Sequence, residues 1–168
     1  ATLLFVGNGF KRKGRKEFLL LASKLKTPVN TLIVGKDKNI SSYKRLAKKL
    51  GLNAYFVGEQ KSTAKFYEAS DIFIFPTHYE PFSNVVLEAL SFKNVVFTTA
   101  QNGASEILED KFVLQSPNDE SALEFIDEIL ANHELLASLQ EKAYELSLNF
   151  SIEKNAALTL EVIKDVLK

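Results

Sequence analysis

The stretch "SDIFIFPTHYEPFSNVVLEAL" (Ser70–Leu90) decides the fold. Its first part, "DIFIFP" (Asp71–Pro76), is a short run of β-branched and aromatic residues stopped by proline, the pattern of a buried strand. Its last part opens an apolar helix, Ser83–Phe92, that carries one carboxylate, Glu88. The loop between them holds a second, Glu80, with Pro81 directly behind it. Strand, polar loop and helix in that order form the repeating step of an α/β domain.

The same step recurs in both directions. Toward the N-terminus, "TLLFVG" (Thr2–Gly7), "NTLIVG" (Asn30–Gly35) and "AYFVG" (Ala54–Gly58) read as strands, alternating with helices over Arg15–Leu25, Ser41–Leu52 and Ser62–Ser70. Toward the C-terminus come "NVVFTT" (Asn94–Thr99), a short helix over Ala104–Leu108 and a weak strand, "KFVLQ" (Lys111–Gln115). The tail reads as helices over Glu120–Leu130, His133–Leu146 and Ile152–Leu167. These runs predict a Rossmann-like α/β fold: a mostly parallel six-stranded sheet with helices on both faces and a helical C-terminal tail. Gly7, Gly35 and Gly58 end strands, where the backbone can turn sharply and a ligand can come close. Open parallel sheets bind ligands along that edge, near the point where strand order reverses.

Composition narrows the classes of function. At 168 residues the chain is long enough for one domain with a full core. Lys plus Arg and Asp plus Glu both number 21, and zero net charge weighs against nucleic acid as a partner of the chain as a whole. The chain lacks cysteine, so it forms no disulfide and does no thiolate chemistry, which fits a reducing compartment. No apolar run approaches the ~18 residues of a membrane span, and no signal-peptide pattern stands out. A chain without methionine that opens inside a core strand reads as cut from something longer; N-terminal processing is the alternative.

Four stretches could carry chemistry. "GNGFKRKGRKEF" (Gly7–Phe18) matches neither the P-loop nor the dinucleotide fingerprint. It leaves a basic strand-to-helix turn, Lys11–Arg12–Lys13, ahead of a helix whose first turn ordinarily prefers acids. An anion between those cations and the helix amides accounts for the reversal; a solvated charge run is the plain alternative. "VGKDKN" (Val34–Asn39) brings Lys36 and Lys38, which either join that anion site or form a polar surface turn. Glu88, expected in the first turns of its apolar helix, needs a donating partner: an Arg, a Lys or the vicinal hydroxyls of a ribose. A structural salt bridge or a solvent-facing Glu88 is the alternative. A glycosidase-like carboxylate pair is weakened because a helix start favours a charged carboxylate. "TTAQNGASEIL" (Thr98–Leu108) offers the amides of Gly103 to a ligand, or is an ordinary turn. His78 and His133 read as ordinary polar residues, since no metal-ligand spacing surrounds them.

Taken together, the order strand-Gly-basic-"KG", "VG", "FVG", "SDIFIFPT", E-P-F-S-N-V-V-L-E-A and "NGASEIL" resembles the C-terminal half of GT-B glycosyltransferases. The resemblance is greatest to family 4, a retaining group with an E-x7-E motif, here Glu80 to Glu88. "KRKG" and "GKDK" are similar to enzymes of lipopolysaccharide core and capsule synthesis. The resemblance implies that residues 1–168 form the nucleotide-sugar-binding domain of a larger enzyme, with the acceptor-binding N-terminal domain absent. It implies a nucleoside diphosphate sugar donor, uridine ahead of guanosine, with neither cofactor nor metal, and a glycan or lipid-linked acceptor held by the missing half. Peripheral membrane contact, if made, belongs to that half, and the implied location is cytoplasmic, at the inner face of the membrane.

The implied roles follow the motif. Glu88 accepts from the ribose hydroxyls, and Glu80 holds the transferred sugar. The amides of Phe82, Ser83 and Asn84 meet sugar and diphosphate, and Lys13 with Arg12 neutralises the diphosphate. Gly7, Gly9, Lys38 and Gly58 also bind the donor, and the strand end near Gly35 with the loop after Gly58 cradles the base. The sequence departs from the pattern at Asn8, where arginine is frequent, at Pro81, where glycine is frequent and whose ring removes an amide donor, and at "SFKNVV" (Ser91–Val96). A sugar-nucleotide 2-epimerase and a non-catalytic α/β binding module are the alternatives from other classes.

Overall fold

The computed structural model describes residues 1–9 and 11–167, excepting the side chains of 152 and 153; Phe10, within the basic stretch read from sequence, lies outside the described residues. Six strands form one sheet in the order β3-β2-β1-β4-β5-β6. They are β1 (Thr2–Val6), β2 (Asn30–Val34), β3 (Asn53–Gly58), β4 (Ile72–Phe75), β5 (Val95–Thr99) and β6 (Val113–Leu114). Every pairing is parallel, so the sheet goes beyond the mostly parallel expectation. Leu3, Leu4, Phe5 and Val6 in β1 and all of β4 are buried, as both-face burial of central parallel strands requires.

The helices are α1 (Arg15–Ala22), α2 (Ile40–Lys49), α3 (Ala64–Glu68), α4 (Asn84–Ser91), α5 (Leu123–Ala131), α6 (His133–Ser147) and α7 (Ile152–Val166). The sheet grows one way from β1 to β3 and the other way from β4 to β6. Right-handed crossovers therefore put α1 and α2 on one face and α4 on the other; α1 touches α2, while α4 packs on α6. Phenylalanines knit the centre, with Phe5 5.6 Å from Phe18 and 5.8 Å from Phe75 between ring centroids.

The differences from the expected elements have local causes. α1 stops at Ala22, three residues early, with Ser23 as its C-cap and the amides of Lys26 and Thr27 donated to Asp127. α5 starts at Leu123 rather than Glu120, because Asp119 accepts from the amides of Gln115 (2.7 Å) and Ser121 (2.9 Å) and holds the preceding residues in a turn. Those bonds, Ser121 first, lower the carboxyl's pKa. The Ala104–Leu108 helix is a 3-10 turn over Gly103–Ile107, and the last strand keeps two of its five expected residues. α7 leaves Leu158, Leu160, Val162, Ile163 and Val166 exposed. Among the described residues, no helix is long and apolar enough to cross a membrane.

Arg15 is the largest surprise in the core. It opens α1 fully buried, its guanidinium 5.0 Å from the centroid of Phe56, 5.3 Å from Tyr43 and 5.8 Å from Phe5. Burial lowers its pKa to about 9, so the group still carries its charge at neutral pH. Sequence gives no warning of it, because Arg15 reads as one more member of a basic run.

Candidate donor-binding site

The order reverses between β1 and β4, and there a cleft of about 360 Å³ opens at the carboxyl edge of the sheet. Val6, Gly7, Asn8 and Lys13 line it from the β1 side, Val34 and Gly35 from β2, Glu59 and Gln60 from the loop after β3, and Val85 and Glu88 from α4. Thr63 completes the wall just ahead of α3.

Two glycines bring these walls together. Gly14, the N-cap of α1, is left-handed at φ 76°, and a Cβ on it would lie 1.7 Å from the carbonyl oxygen of Pro76. That contact presses the basic loop against the end of β4. Gly35, at φ 123°, lets the end of β2 pass the Gly7 carbonyl, where a Cβ would sit 2.1 Å from oxygen. The stem of Lys13 lies across Gly7, and its ammonium stands 5.4 Å from the centroid of the Phe75 ring.

The basic loop is stitched to the loop carrying Glu80. His78 N and Thr77 Oγ1 donate to the Arg12 carbonyl at 2.9 and 3.1 Å, and Arg12 donates to the Tyr79 carbonyl at 2.8 Å. Glu80 Oε2 is 3.3 Å from both Arg12 Nη1 and Lys13 Nζ. Its main chain is pinned from behind: Glu80 N donates to the Gln101 carbonyl, and Gly103 N donates to the Glu80 carbonyl, both at 3.0 Å. The Gly103 amide expected to meet a ligand is thus committed to shaping the Glu80 loop instead.

Glu88 is set differently, and two expectations fail here. It is the fifth residue of α4, past the helix start, and it is exposed rather than sunk in apolar surroundings. The 3.6-residue period explains the exposure. Val86 and Leu90 face the core, and a residue two positions from each points about 200° away. The helix-start argument against a glycosidase-like pair lapses with its premise. Glu88 Oε2 accepts from the hydroxyl of Tyr67 at 2.9 Å, and the carboxylate otherwise looks into the cleft beside Lys13.

The remaining candidates divide. Gly7, Lys13 and Glu88 share the cleft with Gly35. Arg12 and Glu80 border it through Lys13. Gly9 and Lys38 line an adjoining, more open recess with Asn8, Lys36, Asp37 and Asn39, outside the cleft that holds Lys13 and Glu88. Lys36 is turned to Glu59, 2.7 Å away, rather than toward Lys13. Gly58 stands behind the wall, its carbonyl accepting from Gly35 N at 2.8 Å. Phe82, Ser83 and Asn84 lead into α4; Ser83 is its N-cap and forms no side-chain capping bond, and a helix's first turn leaves N–H groups without intrahelical partners. Asn8, where arginine was expected, accepts from Lys36 N at 2.8 Å and so holds the β2 loop. His78 Nε2 lies 3.4 Å from Glu17 on the outside of the loop. Among the described residues, no group of His, Cys, Asp or Glu could hold a metal ion. Glu59 and Gln60 in the cleft wall belong to the loop after Gly58 named from sequence, whereas Tyr67 and Thr63 were missed, because their segment reads only as a short helix.

Known proteins resemble this chain in sequence and in fold. An uncharacterized glycosyltransferase of Haemophilus influenzae is 29% identical over 163 residues, 91% of this chain and 46% of the relative. The lipopolysaccharide glucosyltransferase WaaG of Escherichia coli is 32% identical over 114 residues, 64% of this chain and 30% of the relative. The crystal structure of Anabaena Alr3699/HepE in complex with UDP and glucose superposes with a TM-score of 0.84 at 18% identity, covering 98% of this chain and 48% of that one. The chain therefore spans less than half the length of each of these relatives. The family model for glycosyl transferases group 1 matches residues 1–146, and the chain belongs to that family.

Proposed function

We propose that this chain is the donor-binding half of a retaining glycosyltransferase that moves a sugar from a nucleoside diphosphate sugar to a glycan or lipid-linked acceptor in cell-surface polysaccharide synthesis. The observation that carries the reading is the meeting of Lys13 and Glu88 in one cleft at the switch point of the sheet. Lys13, which lies 3.3 Å from Glu80, and Glu88, which Tyr67 holds, line that cleft together with no ion pair between the two. A nucleoside diphosphate offers the matching set: phosphate oxygens for the cation and a vicinal diol for the carboxylate. The relatives support the setting, since the Escherichia coli protein is named for lipopolysaccharide and the Anabaena protein is seen with UDP and glucose.

Transfer breaks the bond between the anomeric carbon and the diphosphate, and negative charge grows on the leaving oxygens. Lys13 and Arg12 stabilise that charge from fixed positions, helped by the amides of Phe82, Ser83 and Asn84 at the start of α4. Glu80 holds hydroxyls of the sugar, and it must release Lys13 and Arg12 as the diphosphate arrives. The acceptor is held by a second domain, and a phosphate oxygen of the donor takes the acceptor's proton on the leaving-group face. No cofactor takes part. Membrane contact, where it occurs, is peripheral, from the cytoplasmic side and through the other domain.

A thermal-shift screen of nucleotide sugars tests the reading directly. UDP-sugars are expected to raise Tm most and GDP-sugars less, and Glu88→Ala to reduce the shift markedly at the same ligand concentration. A screen in which no nucleotide sugar moves Tm, or in which the shift is undiminished in Glu88→Ala, overturns it.

A further inference from the structure

Tyr67 belongs to none of the motifs that point to the cleft, yet it touches a carboxylate that lines it, Glu88. It sits in α3 with no exposed surface, its ring stacked on Phe92 (5.7 Å between centroids, 9° between planes) and tilted against Phe73 at 6.0 Å. Its main-chain carbonyl is held as well, accepting from Asn94 Nδ2 at 2.9 Å. The phenol is therefore fixed at both ends of the residue. Its hydroxyl donates to Glu88 Oε2 at 2.9 Å, with the Val85 carbonyl a more distant 3.5 Å away. Burial, then the charge of Glu88, raises the phenol's pKa, so it remains a donor throughout the physiological range.

Glu88 needs such a donor. An exposed glutamate on a helix visits several rotamers, and fixing one costs up to ~2 kcal/mol of side-chain entropy when ligand binds. A buried phenol that holds Oε2 selects one rotamer beforehand. A carboxylate has about four acceptor sites; Tyr67 takes one, and the others remain to a residue that lines the cleft. That remainder suits two adjacent hydroxyls. We infer that Tyr67 is a positioning residue: it holds Glu88 in the rotamer that reads the ribose diol and so sets the preference for ribonucleotides over deoxynucleotides. This rests on the donor-binding reading above and extends it to a residue two elements away.

The test is calorimetry on the 168-residue chain with uridine diphosphate and its 2′,3′-dideoxy form. The wild-type chain should prefer the ribonucleotide at least ~10-fold. Tyr67→Phe keeps the stacked ring and removes only the hydroxyl. It should weaken the ribonucleotide about fivefold, leave the dideoxy form unchanged and keep Tm within ~2 °C. In a Glu88→Ala background the same change should do nothing further. Equal losses for both nucleotides, or no loss for either, would show that Tyr67 only packs, and the inference fails. Should Tyr67→Phe not fold, Glu88→Asp replaces it. The shorter acid keeps its charge but withdraws from the phenol, and it must lose the ribose preference; a full preference in that variant overturns the inference. A wild-type chain that binds both forms equally, or neither, brings down the Glu88–ribose assignment itself.

Discussion

Glu80 and Glu88 stand eight positions apart in one stretch, yet the molecule treats them in opposite ways. Glu80 is largely buried on a loop pinned from behind by Gln101 and Gly103, its charge answered by Arg12 and Lys13. Glu88 is open on a helix and held by a neutral phenol, and no cation of the described residues pairs with it. The difference teaches what each is ready to do. A carboxylate already paired with two cations competes with any anion that approaches them. A carboxylate aligned by a neutral donor waits for hydroxyls. Donor binding should therefore meet resistance at one end of the motif and a prepared acceptor at the other.

Three substitutions press on that contrast. The largest effect belongs to the cation between the two ends. In an enzyme that joins this chain to the proposed acceptor domain, Lys13→Ala should lower kcat about 10²- to 10³-fold while KM changes far less, because its charge matters most as the leaving group forms. Steady-state kinetics would read this, and a change confined to KM would place Lys13 in ground-state binding alone. Next, Glu88→Ala should cost about 1.5–3 kcal/mol of nucleoside diphosphate affinity, measured by calorimetry. The smallest effect carries the opposite sign. Glu80→Gln keeps the shape, frees Lys13 and Arg12, and should tighten a nucleoside diphosphate lacking its sugar by about two- to fivefold, a range kept low because Arg12 is half exposed. The same variant should transfer sugar more slowly, since its amide replaces a charged acceptor for the sugar hydroxyls.

The fold was legible because central parallel strands must be apolar on both faces, and runs such as "TLLFV" and "IFIF" leave no other reading. Element ends were less so. The early stop of α1 and the late start of α5 depend on Asp127 and Asp119 capping amides elsewhere, and spacing does not report such bonds. Within the site, Lys13, Glu80 and Glu88 were candidates from their charge and placement, the resemblance gave each a role, and the cleft brings Lys13 and Glu88 together. The setting of Glu88 was misjudged because the apolar letters around it were counted without projecting them on a helix. Tyr67 and Arg15 could not be found that way. A tyrosine in "AKFYEAS" and an arginine in a basic run look ordinary until the sheet order shows what each packs against.

The most direct measurement is one calorimetric series: uridine diphosphate titrated into the wild-type chain, Glu80→Gln and Glu88→Ala under the same conditions. Affinity should rise for Glu80→Gln and fall at least ~10-fold for Glu88→Ala. Shifts of the same sign, or an unchanged Glu88→Ala, would contradict the account.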